Sequence, residues 1–123
     1  MTIHITKTKA LQLLKNAVER KGADYVYPSV GNCKYVVNKT KPSCLVGEAL
    51  LEAGVPPSRL YGQPINKLRI DGIVDRLGDD VVIDRGAVQV FGDAQDQQDT
   101  GETWGTALKA ARRRAREIAK SRR

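Results

Sequence analysis

Six cations near the end of the chain have the types and spacing for phosphate chemistry. Lys109, Arg112, Arg113, Arg116, Lys120 and Arg123 fall within an arc of about 100° on a helical wheel. An arginine fork matches two phosphate oxygens and a lysine supplies a point charge, so such a row can follow a nucleic-acid backbone. With all six engaged on a duplex, log affinity would fall against log salt with a slope of about −5. The same row suits an acidic protein surface, and cations are also favoured at any helix C-terminus by the dipole.

The other constellations reach less far. His4 is the sole histidine, so Cys–His catalysis would require it beside Cys33 or Cys44; an edge-strand histidine facing solvent is the simpler reading. The two cysteines stand eleven residues apart, without the second ligand pair of a structural zinc site. In a reducing cytosol they read as buried thiols, and their spacing does not say whether they are neighbours. Cys44 falls in a helical first turn, where a thiol is activated, yet a free cysteine more often packs in a core. Asp71, Asp75, Asp79, Asp80 and Asp84 do not follow the calcium-loop pattern. They read as solvated surface, with Asp71, Asp80 and Asp84 as helix caps or first-turn acids. Gln95, Gln98, Asp99, Thr103 and Trp104 could hold a ligand at a helix corner, but fixing that corner is the more economical role. No phosphate-binding loop, dinucleotide fingerprint or nucleophile elbow occurs. The expectation is a non-enzymatic protein with no cofactor and no metal.

These residues need elements to hold them. Ser43 to Val55 reads as a short buried helix: Ser43 as N-cap, Gly54 at the left-handed C′ position with Val55 folding back on Leu50, and Pro56-Pro57 forbidding continuation. Gly47 in its middle costs about 1 kcal/mol against Ala, which predicts a second backbone crossing there. Upstream, Ile3 and Ile5 alternate as a short strand, and Thr6 or Thr8 caps a helix to Lys21 with Ala10, Leu11, Leu14, Ala17 and Val18 inward. Residues 25–27 and 33–37 predict a hairpin, followed by a polar loop over 38–41. Ile65 to Leu77 suggest one or two short helices ending at Gly78, and Val81-Val82-Ile83 a brief strand or buried loop. Asp84 begins a helix through Gln98, with Ala87, Val88, Phe91, Ala94 and Gln95 inward. The last helix starts near Thr103. Trp104, Ala107, Leu108, Ala111, Ala115, Ile118 and Ala119 form its apolar arc of about 120° beside the cations. The fold class is therefore α+β and mostly helical: four to five helices with a short β-hairpin in one small domain, residues 1–123, with 109–123 as a basic helical extension.

Charge is segregated along this plan. The net +7 of the 123 residues resolves into +7 over 1–70, −7 over 71–102 and +7 over 103–123, a pattern that implies separate binding surfaces or internal pairing. No apolar run approaches the ~20 residues of a membrane span, and the apolar arc of the last helix is too rich in Ala to insert at a membrane surface. Nothing in the first residues begins a signal peptide. The Asn38-Lys39-Thr40 triplet spells a glycosylation acceptor, with nothing else to suggest secretion. A cytoplasmic protein is expected.

Ser43-Cys44-Leu45-Val46-Gly47-Glu48-Ala49-Leu50 with the following Gly-Val-Pro, residues 94–108 including Gln97-Gln98-Asp99-Thr100-Gly101-Glu102-Thr103-Trp104-Gly105, and Asp24 to Pro28 followed by Cys33-Lys34-Tyr35 resemble small proteins of unassigned function from actinobacteria and their phages. The resemblance spans most of residues 10–111. It implies a bacterial or phage setting and supplies no mechanism. Two roles follow as expectations. The first is an accessory protein binding nucleic acid through the phosphate backbone by way of the basic helix. The second is a phage-encoded interaction module for an acidic host protein, with Tyr25, Tyr27 and Tyr61 at its interface. Either is compatible with a homo-oligomer.

Overall fold

The structure, a computed structural model, describes residues 2–28, 35–37, 41–42, 44–61 and 69–121. Within these, strand β1 (Ile3–Ile5) leads through Thr6 into helix α1 (Lys7–Lys21). Thr6 caps that helix by accepting from Lys9 N at 3.1 Å, which satisfies one of the amide groups a first turn leaves unpaired. Short strands β2 (Val36–Val37) and β3 (Lys41–Pro42) precede helix α2 (Leu45–Glu52). A 3₁₀ turn at Pro57–Arg59 follows, then helix α3 (Ile70–Ile73) running into a second 3₁₀ turn at Val74–Arg76. Strand β4 (Val81–Ile83), helix α4 (Arg85–Asp99) and helix α5 (Trp104–Ser121) complete the chain.

Among the described residues the fold is mostly helical, five helices around one core, with β1 and β4 forming a parallel pair. β1 and β4 lie side by side with His4 opposite Val82, and each strand passes directly into a long helix. A parallel pair needs a crossover, and here almost the whole intervening chain supplies it. The expected hairpin between 25–27 and 33–37 is corrected. Val36–Val37 pairs antiparallel with Lys41–Pro42, of which Lys41 belongs to the expected loop, while Val26 bridges Thr103. The cause is competition for the backbone: Tyr25 O and Ala23 O accept from Trp104 N at 2.8 Å and Gly105 N at 2.9 Å, so this segment is spent on α5. Cys33 and Lys34, in the second arm of that hairpin, lie outside the described residues.

α2 is enclosed by its neighbours, with Leu45 through Leu50 all buried. It closes as anticipated: Gly54 N donates to Leu51 O and Val55 N to Leu50 O, both at 3.1 Å, with Gly54 at φ 104°, the Schellman arrangement. The Gly47 expectation also holds, because a Cβ there would lie 2.0 Å from Tyr35 O. The start differs by one residue. Cys44 is the N-cap, its Sγ accepting from Gly47 N at 3.4 Å, and Ser43 lies outside the described residues.

Two buried glutamines of α4 explain how α2 and α3 are held. Gln98 Oε1 accepts from Leu45 N at 2.8 Å, and Gln95 Oε1 accepts from Ile70 N at 2.9 Å. Each is the first amide of a helix, which has no partner inside its own helix. Gln95 Nε2 also donates to the Tyr35 hydroxyl at 2.9 Å. One face of α4 thus caps two other helices while Ala87, Val90, Phe91 and Ala94 fill the core.

Candidate nucleic-acid interface

α5 is anchored at its first turn and runs from there along α4. Thr103 Oγ1 accepts from Thr106 N at 3.1 Å, so with the carbonyls of Tyr25 and Ala23 the first three amides of the helix are all engaged. Trp104 is fully buried, and its ring meets that of Tyr25 edge-on, centroids 4.6 Å apart. Among the described residues its Nε1 has no hydrogen-bond partner. Ala107, Leu108, Ala111 and Ala115 continue the buried stripe, with Ile118 half-buried. Ala119, expected on the apolar arc, is exposed; the stripe ends at Ile118, one turn before the helix does.

On the far side of this helix Lys109, Arg112, Arg113, Arg116 and Lys120 are all exposed. They share one face over a span of about 16 Å, at 1.5 Å of rise per residue. Arg123 lies outside the described residues. Among the described residues, none of the five has a carboxylate within ion-pair distance.

Arg114, on the same helix, behaves differently. Its Nε donates to Asp93 Oδ2 at 2.9 Å and a terminal nitrogen to Asp93 Oδ1 at 3.3 Å, a two-point fork that ties α5 to α4. Sequence reading passed over this residue because the wheel placed it between the two arcs; the Asp93 opposite is a pairing that no single-helix pattern carries. Arg69 makes a similar fork to Asp96, at 2.7 and 3.0 Å, and reaches Asp71 at 2.7 Å. Its guanidinium lies against Gly92, where a Cβ would stand 2.7 Å from it. Arg59 holds Asp80 and the Leu77 carbonyl, and Arg20 holds Glu48 and Glu52.

These pairings take up Asp71, Asp80, Asp93 and Asp96 of the acidic stretch, while Asp75 and Asp79 are exposed as expected. Asp71 does lie in the first turn of α3. Asp80 is not a cap but the partner of Arg59, whose hydrogen bonds hold its carboxyl below the usual range. Asp84 occupies the N-cap position of α4 without a capping hydrogen bond; its carboxylate bonds His4 Nε2 at 2.7 Å instead. Glu52 is disfavoured as an anion by partial burial, yet hydrogen bonds from Asn16 and Arg20 outweigh that and lower its pKa. Asp99 goes the other way, pushed up by burial despite its bond from Gln98. Among the described residues no group of three or more His, Cys, Asp or Glu side chains is placed to hold a metal ion. Cys44 is fully buried, and His4 is engaged with Asp84 at the sheet.

The tyrosines expected at a protein interface are corrected as well. Tyr27 is buried and Tyr25 packs on Trp104, which leaves Tyr61 as the exposed one. Beside the cation row, between α4 and α5, runs a shallow depression of about 350 Å³ lined by Asp93, Asp96, Gln97, Ala110, Arg113 and Glu117. Among the described residues no helix is long and apolar enough to cross a membrane. No family model, curated protein or solved structure matches the chain.

Proposed function

We propose that this protein is a non-enzymatic accessory factor that binds nucleic acid through phosphate contacts from Lys109, Arg112, Arg113, Arg116 and Lys120. The observation that carries the reading is the gathering of five exposed cations on one face of α5. Arg20, Arg59, Arg69 and Arg114 are each committed to a carboxylate, whereas the cations on the outer face of α5 are left open to solvent with no such partner among the described residues. A row of that kind can supply a polyanion with several charge-assisted contacts. The setting that goes with this reading, on the resemblance to actinobacterial and phage proteins, is a bacterial cytosol.

The test is binding to mixed-sequence DNA over a salt series, comparing the natural chain with Arg112→Gln/Arg116→Gln/Lys120→Gln. All three side chains are exposed, so the substitutions spare the buried stripe that a truncation of the helix would remove. The natural chain should show a log–log slope of about −4.5 for five contacts, falling to about −2 with two. No binding at low salt by the folded natural chain would sink the proposal. An acidic protein captured through the same row would then be the reading to pursue.

A further inference from the structure

The same row also says which form of nucleic acid it fits. We infer, on the proposed nucleic-acid reading, that the ligand is a duplex gripped by its backbone and that single strands are poor ligands. Proteins that hold single strands without regard to sequence combine a basic groove with aromatic side chains on which bases stack. Here the cations are exposed along one face of a helix, and the depression beside them, lined by Asp93, Asp96, Gln97, Ala110, Arg113 and Glu117, contains no aromatic side chain.

The aromatic side chains are elsewhere. The chain has four Tyr, one Phe and one Trp. Tyr27, Tyr35, Phe91 and Trp104 are buried. Tyr25 has the Trp104 ring against it and the Lys21 ammonium over its face, 5.3 Å from the centroid. Only Tyr61, in the segment after α2 and 45% exposed, presents a ring to solvent. The one histidine is engaged with Asp84. With base stacking absent from the row, affinity rests on phosphate charge, and that favours the duplex. Duplex DNA carries a charge every ~1.7 Å of axis against ~3.4 Å for one strand, and each contact contributes about −0.9 to the salt slope rather than −0.7.

Five contacts therefore give slopes of about −4.5 for a duplex and −3.5 for a single strand, a difference worth about tenfold in affinity for each tenfold drop in salt. The experiment titrates the full chain against a mixed-sequence duplex and against its unpaired single strand of equal length, from low to high salt, with Tyr61→Ala alongside. Duplex binding at least tenfold tighter at low salt, with the steeper slope and no effect of Tyr61→Ala on either ligand, is the expected result. Equal or tighter binding of the single strand, or single-strand binding lost on Tyr61→Ala, overturns the duplex inference while leaving nucleic-acid binding intact. Failure of both ligands to bind removes the parent reading and this one together.

Discussion

The inner face of α4 and the outer face of α5 are both rich in polar side chains, and they are built on opposite rules. On α4, Gln95 and Gln98 are fully enclosed, and each accepts from the first amide of another helix. Asp93 and Asp96 at its edge are held in two-point forks by Arg114 and Arg69. On α5, five cations are exposed with no carboxylate within ion-pair distance among the described residues. Buried polar groups must be partnered because desolvation without a partner costs about 1–3 kcal/mol. Exposed cations carry no such obligation, so their clustering on one face is not something the fold requires. The difference separates residues that specify the structure from residues available for a ligand.

The largest effect that would test this division is at Gln98. Gln98→Met keeps the volume while removing the acceptor for Leu45 N, leaving the first amide of α2 buried and unpaired. The expected loss is about 1–3 kcal/mol, read as a lowered denaturant midpoint with an unchanged m-value. A loss below about 0.5 kcal/mol would mean that the α2 amide finds another acceptor and that the inner face is less exacting than described.

Next in size is Arg69, which joins Asp96 of α4 to Asp71 of α3. It is part-exposed, so Arg69→Met should cost about 1 kcal/mol at most in dilute buffer. High salt should erode the difference between the natural and substituted chains, since pairs open to water are screened. An undiminished cost in high salt would point to packing of the Arg69 stem over Gly92 rather than to charge.

What sequence reading could reach divides along a related line. The Schellman close at Gly54, the crossing at Gly47, the Thr6 and Thr103 caps and the cation face of α5 are legible because each is encoded by neighbours within a few residues. The β1–β4 pair is not, since three-residue strands so far apart carry no register signal of their own. Neither are the caps from Gln95 and Gln98, whose acceptors lie 25 and 53 residues from the amides they serve. Cys44 stands at the N-cap of α2 and its Sγ accepts from Gly47 N, a role that its residue type did not announce. The basic row was found by periodicity; the fact that the neighbouring Arg114 is committed to Asp93 needed the second helix.

Acid should press on the partnered set before it reaches the row. Glu52 and Asp80 have folded-state pKa values below their ordinary ones, so they contribute stability above the usual carboxylate range, near pH 4, and lose it as pH falls through the depressed values. Asp99 is shifted up by burial; its contribution favours the fold at acid pH and is lost as pH rises through its raised value. Stability should accordingly decline below about pH 4. Asp99→Asn should improve it slightly at neutral pH, with the gain over the natural chain vanishing in acid. A gain that grows on acidification would reverse the assignment.

The smallest expected effect is the sharpest. Arg112→Gln/Arg116→Gln/Lys120→Gln removes three charges from exposed positions, and each such change should alter stability by no more than about 0.5 kcal/mol. Relief of like-charge repulsion along the helix would make the sign favourable if anything, since Arg112 and Arg116 lie four residues apart and Arg116 and Lys120 likewise. The same variant should lose more than half of the salt slope for a duplex. A protein that is equally or more stable and binds less is the signature of side chains kept for a partner. If the variant instead unfolds at a lower denaturant concentration in step with its loss of binding, the cations belong to the fold, and the division between the two helices does not hold.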